Sequence, residues 1–170
     1  MIMIVGKVIR VLNYSEFEAE VEEVSVGDIV ICGDILAMIV SIYQEEPEYT
    51  KYLGELDREE LRSFIPDISE GKKIARCLSL CKINLEEPRT APRIGDELKI
   101  VDDKFLREIH YANGELKIPY LITLLEKCKK DLNLIRSLLM RLMKIIPEEK
   151  ELLEIILEGI EYTRMKGVEL

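Results

Sequence analysis

Histidine is nearly absent from this sequence, and its scarcity excludes most catalytic triads and most His-based metal sites. His110 is the only histidine in 170 residues, so a catalytic triad or His-based metal site would have to form around "REIHYANG". The sequence also lacks G-x-S-x-G, Walker-type Gly-Lys-Ser/Thr, G-x-G-x-x-G and H-E-x-x-H motifs. We therefore predict a non-enzymatic protein with no catalytic residue, metal or cofactor, and a structural His110 at the surface or beside a hairpin.

Basic residues are also fewer than acidic ones in this sequence. The 24 Lys and Arg residues face 33 Asp and Glu residues, a net charge of -9, which argues against direct nucleic-acid binding because phosphate recognition needs clustered cations. No apolar run reaches the roughly 18 residues of a spanning helix, and "MIMIVGKVIR" lacks the features of a signal peptide. We predict a cytoplasmic protein without a membrane partner. Gln44 is the only glutamine, and this amide-poor, Lys/Glu-rich balance is typical of thermophile proteins.

Cysteine is sparse and scattered, with only Cys77 and Cys81 close in sequence. Within the strand-like "IARCLSLCKINL", a spacing of four predicts that both lie on one face, about 13 Å apart at roughly 3.3 Å per residue. That separation is too large for a disulfide or a shared metal unless the strand bulges. We expect all four cysteines, Cys32, Cys77, Cys81 and Cys128, to be buried as small apolar side chains.

Short, β-branched apolar runs fill the sequence up to about residue 119, and they predict an all-β barrel or sandwich. In "EFEAEVEEV" apolar and acidic residues alternate, which predicts a strand with one face in water. "DIVICGDILAMIVSIY" is almost continuously apolar, which predicts two buried strands that turn at Gly33-Asp34. The long segment 44–73 interrupts the series, and Asp57 followed by Glu60 indicates a helix start within it.

Helical periodicity replaces the β pattern after Pro119. Apolar residues follow steps of four and three from Leu121 to Ile146, which predicts one helix over 120–146. Pro147 and the acids after it open a second helix. Residues 120–147 carry six basic against two acidic residues, and residues 148–170 carry seven acidic against three basic, so the two helices are electrostatically complementary and predict an antiparallel hairpin.

The fold class is therefore α+β: a small, closed, mostly antiparallel β-barrel followed by a C-terminal antiparallel helical hairpin. We place the barrel domain at 1–119, with a long, partly helical insertion at about 44–73, and the hairpin at 120–170. Because the helices carry more apolar residues than a small barrel can cover, we expect an exposed interface. The predicted contact stripe, which has the hairpin's own seam as its alternative interpretation, is Leu121, Leu125, Leu132, Ile135, Leu139 and Leu142.

Gly-Asp occurs twice before a strand-like run, in "SVGDIVIC" and "RIGDELKIV". Gly permits positive φ and Asp can bond back to the turn, so we assign Gly27-Asp28 and Gly95-Asp96 to turns. Together with "IVGKVIRV", "ILAMIVSI", "APRIGDELKIVDDKFLREIH" and "NGELKIPYLI", these runs resemble the amino-terminal barrel shared by HerA-type archaeal helicases and the ATP synthase. The resemblance covers roughly residues 2–122, and the positions that fit it are structural: Gly6, Gly27, Asp28, Pro92, Gly95 and Gly114.

The resemblance implies a barrel that helps subunits assemble, and it implies a HerA-type ATPase or a NurA nuclease of DNA-end processing as partner. Pro119 departs from the family's glycine, and no phosphate loop follows, so ATPase activity does not carry over. We predict a stand-alone assembly or adaptor protein that forms homo-oligomers or docks to a protein partner. One alternative is an oligonucleotide-binding-type barrel that stacks single-stranded bases on Tyr43, Tyr49 or Tyr52. Another is an enzyme that uses acidic residues of the 44–73 segment.

Overall fold

A computed structural model describes residues 3–45 and 72–165 of the chain. Six long or medium strands come first, and short helices with one small hairpin follow. In chain order the elements are β1 (Met3–Asn13), β2 (Glu16–Val21), β3 (Ile29–Cys32), β4 (Ile35–Glu45), β5 (Lys72–Lys82), β6 (Glu97–Ile100), α1 (Asp103–His110), β7 (Tyr111–Ala112), β8 (Glu115–Leu116), α2 (Leu121–Lys127), α3 (Leu132–Ile145), a 3-10 turn (Pro147–Glu149) and α4 (Lys150–Met165).

Strands β1 to β6 close into an antiparallel barrel with the order β1-β2-β5-β4-β3-β6. Inward-facing side chains alternate with outward-facing ones except where bulges shift the register, and a cluster of buried apolar side chains fills the interior. The predicted α+β class, a closed antiparallel barrel followed by helices, is confirmed. The buried interior residues are Val5, Val8, Phe17, Ala19, Val21, Val30, Cys32, Ala37, Ile39, Ala75, Cys77 and Leu98.

The first Gly-Asp turn precedes β3 and is fastened to β4. Gly27 has a φ of 96°, in the left-handed region that favours glycine. The Asp28 carboxylate accepts a hydrogen bond from the Ser25 N–H at 2.8 Å, which closes the turn. The Gly27 N–H donates to the Ile39 carbonyl at 2.7 Å, and the Ile39 N–H donates to the Asp28 carbonyl at 2.9 Å.

The second Gly-Asp turn precedes β6 and makes the same contacts on β1. Gly95 has a φ of 94°, and the Asp96 carboxylate accepts from the Arg93 N–H at 2.9 Å. The Gly95 N–H donates to the Val8 carbonyl at 2.8 Å, and the Val8 N–H donates to the Asp96 carbonyl at 2.9 Å. The repeated sequence motif is therefore a repeated structure, and each half of the chain fastens its turn to the first strand of the other half.

The barrel has a pseudo-two-fold axis that exchanges β1-β2-β3 with β4-β5-β6. Ile31 and Lys99 occupy equivalent places, three residues after the two turn aspartates, and they lie opposite each other where β3 pairs with β6. On the other side of the barrel the axis passes between β2 and β5, where Glu18 lies opposite Arg76. The two halves share a backbone plan, so any difference in their roles has to come from their side chains.

The helices cover the outer face of β3, β4 and β5, whereas outward side chains of β1 and β6 are exposed. Leu36 and Met38 of β4 point out of the barrel and are fully buried in a second core that includes side chains from all four helices. Their equivalents on β1, judged from the matching pairs with β3 and β6, are Ile4 and Lys7. Ile4 is 56% exposed and Lys7 is exposed. The helical layer thus lies on the face of the barrel whose outward positions are apolar.

The single helix predicted over 120–146 is wrong, because the structure has two helices there. Helix α2 ends at Lys127, and α3 begins after Asp131, whose side chain accepts a hydrogen bond from the Asn133 N–H at 3.2 Å. An aspartate that can cap a new helix competes with continuing the old one. The apolar spacing runs through the break because both helices bury residues in the same core.

Two salt bridges fasten α1 to the hairpin. The Arg107 guanidinium donates a hydrogen bond to the Ile145 carbonyl at 2.9 Å. It also donates to both oxygens of the Glu148 carboxylate. Arg141 of α3 lies 2.9 Å from Asp103. Asp102 is the N-cap of α1 and accepts a hydrogen bond from the Phe105 N–H, so the neighbouring Asp103 is left to bind Arg141.

In the described residues, 3–45 and 72–165, no helix combines the length and the apolar character that crossing a membrane requires.

Candidate interaction surface

The predicted contact stripe lies mainly inside the chain. Ile135, Leu139 and Leu142 are fully buried in the core between the helices and the barrel. Leu121, Leu125 and Leu132 are partly buried against the same core. At its last three positions the stripe is the internal seam of the helical layer, so these side chains are not available to a partner.

Helix α4 also has exposed apolar side chains, on the side that faces away from the core. Leu153 and Ile160 face the core, whereas Ile155 is 66% exposed and Leu152 is 45% exposed. Ile155 is followed at helical spacing by Tyr162, which is also exposed, with Gly159 between them. The signal was present in "ELLEIILEGI", where apolar residues cover more of the helix circumference than one packing face needs.

Acidic side chains lie beside these exposed apolar side chains of α4. Glu151, Glu154 and Glu158 are all exposed on α4, and Glu154 lies 3.8 Å from Lys150 on its own helix. Glu161 pairs with Arg136 of α3 at 3.4 Å, one of the complementary contacts that the charge pattern predicted. We call Glu151, Ile155, Glu158 and Tyr162, which follow steps of four, three and four, the α4 strip.

Helix α3 presents a basic strip beside it. Arg136, Met140 and Lys144 are each four residues apart and all exposed, so they follow one another along one side of α3. Met140 is 46% exposed, and α3 contains no acidic residue. We call these three residues the α3 strip. The solvent side of the hairpin therefore combines a basic helix and an acidic helix, each with exposed apolar side chains.

The nucleic-acid candidates receive little support from their surroundings. The Tyr43 hydroxyl donates to the Glu18 carboxylate at 2.5 Å, and Arg10 lies 3.2 Å from the same carboxylate. The bond to Glu18 raises the pKa of Tyr43. A base that stacked on this ring would approach a carboxylate. Tyr49 and Tyr52 lie outside the described residues, as do most of segment 44–73 and its predicted helix start at Asp57.

His110 lies beside a hairpin, as expected, but it is buried in the core and does not lie at the surface. Its Nδ1 is 2.8 Å from the Leu106 carbonyl, and its Nε2 is 2.5 Å from the hydroxyl of buried Tyr120. A neutral imidazole that donates from Nδ1 and accepts from the tyrosine satisfies both contacts. Burial lowers the pKa of His110, and the Leu106 hydrogen bond opposes this only in part. The arrangement stabilises the core and offers no accessible acid or base.

We expect the free energy of unfolding to fall as the pH drops below about 6.5, the usual pKa of histidine. The folded protein binds the His110 proton less readily than the unfolded chain, so acid favours unfolding, by at most about 1.4 kcal/mol per pH unit for one proton. Urea unfolding at pH 7.5, 6.0 and 5.0 measures this. A His110→Gln variant supplies the reference, because other groups titrate equally in both proteins; equal pH slopes would contradict the assignment.

All four cysteines are free and buried, as expected for thiols that act as apolar side chains. Burial raises the pKa of Cys32, Cys77 and Cys81 to about 12, so they remain protonated at neutral pH. The prediction that Cys77 and Cys81 share a face is wrong. Cys77 lies in the barrel interior and Cys81 in the helix-facing core, because an irregularity in the β4–β5 register shifts the alternation between them.

No group of three or more metal-binding side chains comes together anywhere in the two described ranges. Neither a family model nor a curated protein matches this chain. The resemblance to the HerA-type barrel therefore stays a prediction from short motifs. The solvent side of the α3–α4 hairpin is a surface with distinct chemical character, since it combines exposed apolar side chains with opposite charges.

Proposed function

We propose that this protein is a non-enzymatic assembly or adaptor module, in which a rigid barrel presents a helical hairpin to another protein. The exposed apolar side chains of α4 support this proposal best. Ile155 and Leu152 are large apolar side chains exposed next to each other on a helix whose other face is fully packed. Exposed apolar surface bordered by charges is characteristic of protein contact sites.

The partner is a second copy of this chain or a different protein. By the sequence resemblance alone, a HerA-type ATPase or a NurA nuclease is the first heterologous partner to test, with DNA-end processing in the cytoplasm of a thermophilic archaeon as the setting. Four buried, free cysteines are compatible with a reducing compartment. The oligonucleotide-binding alternative has less support, because Tyr43 is bound to a carboxylate.

We expect Ile155→Lys to weaken association without unfolding the protein. The side chain is exposed, so its replacement should change the free energy of unfolding of the subunit by no more than about 0.5 kcal/mol, while a charged group in an apolar contact opposes binding. Light scattering over a range of concentrations should give a mass above 19.7 kDa for the wild type and 19.7 kDa for the variant. Glu20→Lys, on the bare side of the barrel, is a matched surface control.

A wild-type mass of 19.7 kDa at every concentration would contradict self-assembly and leave only a heterologous partner. The same measurement with a purified HerA-type ATPase or NurA nuclease added then tests that arm. If neither forms a complex that Ile155→Lys weakens, the assembly proposal with these partners is wrong.

A further inference from the structure

We propose that two copies of this chain pair through their hairpins about a two-fold axis parallel to the helices, so that α3 of each copy lies on α4 of the other. This inference rests on the proposed assembly function and specifies its symmetry. The occupant of the exposed hairpin is a second copy because one chain carries both complementary strips: a basic one around Met140 and an acidic one around Ile155.

Charge selects this axis over the other face-to-face arrangement. A two-fold axis perpendicular to the helices, within the plane of contact, would place α3 on α3 and α4 on α4. The basic strip of one copy, with Arg136 and Lys144, would then face the basic strip of the other, and Glu151 and Glu158 would likewise face acidic residues. Like charges across an interface cost several kcal/mol. An axis parallel to the helices places the basic strip of each copy on the acidic strip of the other, and the contact is closed at two subunits.

The register of the hairpin aligns the strips. Arg136 pairs with Glu161 within one chain, so the antiparallel helices are level at these residues. At equal rise per residue, Met140 is level with about Leu157 and Lys144 with about Leu153. A two-fold axis parallel to the helices keeps these levels unchanged in the second copy.

The facing residues then match in both shape and charge. Met140 of one copy lies over the segment between Ile155 and Gly159 of the other, where Gly159 leaves open space because no atom lies within 4 Å of the place a Cβ would occupy. Lys144 lies over the region of Glu151 and Glu154. Arg136 lies over the region of Glu158. An exposed methionine thus meets a small residue at the centre, with opposite charges on both sides of it.

Charge reversal provides the test. Arg136→Glu/Lys144→Glu makes the charges of both strips acidic, and Glu151→Lys/Glu158→Lys makes the charges of both strips basic. Each double variant alone should bind itself about 100-fold more weakly or worse, the effect of a few kcal/mol, and light scattering should give 19.7 kDa where the wild type gives twice that mass. Mixed in equal amounts, the two variants should recover the dimer mass, because each acidic face then meets a basic one.

Two controls keep the result interpretable. Glu97→Lys/Lys99→Glu reverses charges on an exposed barrel strand and should leave the dimer intact. Lys144→Glu alone weakens the dimer in the same direction, and Lys144 makes no ion pair elsewhere in the described residues, so its effect cannot come from a broken contact within the chain. Thermal unfolding of each variant confirms that the subunit remains folded.

The outcomes separate this inference from the assembly function. A wild-type oligomer larger than a dimer, or a mixture of the two charge-reversed variants that remains monomeric, overturns the two-fold hairpin contact and leaves assembly intact. A wild-type monomer also overturns it, and the heterologous partner then remains as the form of the assembly proposal to be tested. A wild-type dimer, together with recovery of the dimer mass only on mixing the two variants, supports the paired arrangement, because a contact of α3 on α3 and α4 on α4 would already bring like charges together in the wild type.

Discussion

Met38→Lys should destabilise the protein by about 3 kcal/mol or more, whereas the reverse change at the equivalent position, Lys7→Met, should cost less than about 0.5 kcal/mol. Met38 is fully buried between the barrel and the helices. A lysine there either loses the hydration of its ammonium group or lifts the helical layer from β4. Lys7 lies at the matching place on β1 but is exposed, so a methionine there changes only the surface.

Urea denaturation of the two variants and the wild type measures these costs directly. The pair is informative because the same two residue types are exchanged at places that the pseudo-two-fold axis makes equivalent. Similar losses of stability in both variants would mean that the two faces do not differ in burial as the structure places them. A change in far-UV helicity in Met38→Lys alone would show that the helical layer depends on the apolar face of β4.

Gly6→Ala should cost about 3 kcal/mol, at the upper end of the penalty for overpacking. A Cβ on Gly6 would lie 2.2 Å from the backbone oxygen of Glu20 on the neighbouring strand. Backbone cannot move aside as a flexible side chain can, so β1 and β2 would have to separate where Gly6 pairs with Val21. Chemical denaturation measures the loss, and the barrel strands should lose hydrogen-exchange protection first.

Gly33→Ala is the matched control for a different glycine property. Gly33 has a φ of 63°, but nothing lies within 4 Å of its missing Cβ. Alanine there should lower the free energy of unfolding only by the backbone cost of the left-handed conformation, about 1–2 kcal/mol. A larger loss for Gly33→Ala than for Gly6→Ala would mean that turn conformation matters more to this barrel than the close approach of its strands.

Local rules predicted the features that depend on neighbouring residues. The alternation of Phe17 and Ala19 with glutamates predicted an inward-facing strand face, and both side chains are fully buried. The unbroken apolar run through β3 and β4 predicted strands covered on both sides, and the turn at Gly33-Asp34 joins them. The same local rules also failed: Asp131 ended a helix that the apolar spacing carried straight through, because a cap is a single residue within a long periodic signal.

The candidate surface was only partly predictable. The sequence showed an excess of apolar residues after Pro119, but the choice between seam and surface could not be made from periodicity, because a heptad pattern records that a face is buried and not by what. Ile135 and Leu139 are buried in the core that the barrel and the helices share. Only after that face is assigned to the shared core can Ile155 be identified as one of the exposed apolar residues.

By itself the sequence determined the barrel-plus-helices class, the two Gly-Asp turns and the opposite charges of the hairpin helices, because each of these is encoded within a few consecutive residues or along one helix. The tertiary structure alone decided the pseudo-two-fold closure of the barrel, the face that the helices cover, and the burial of His110 against Tyr120. These depend on contacts between residues far apart in the chain, such as Ile31 with Lys99, and no local pattern specifies which distant surface will meet another.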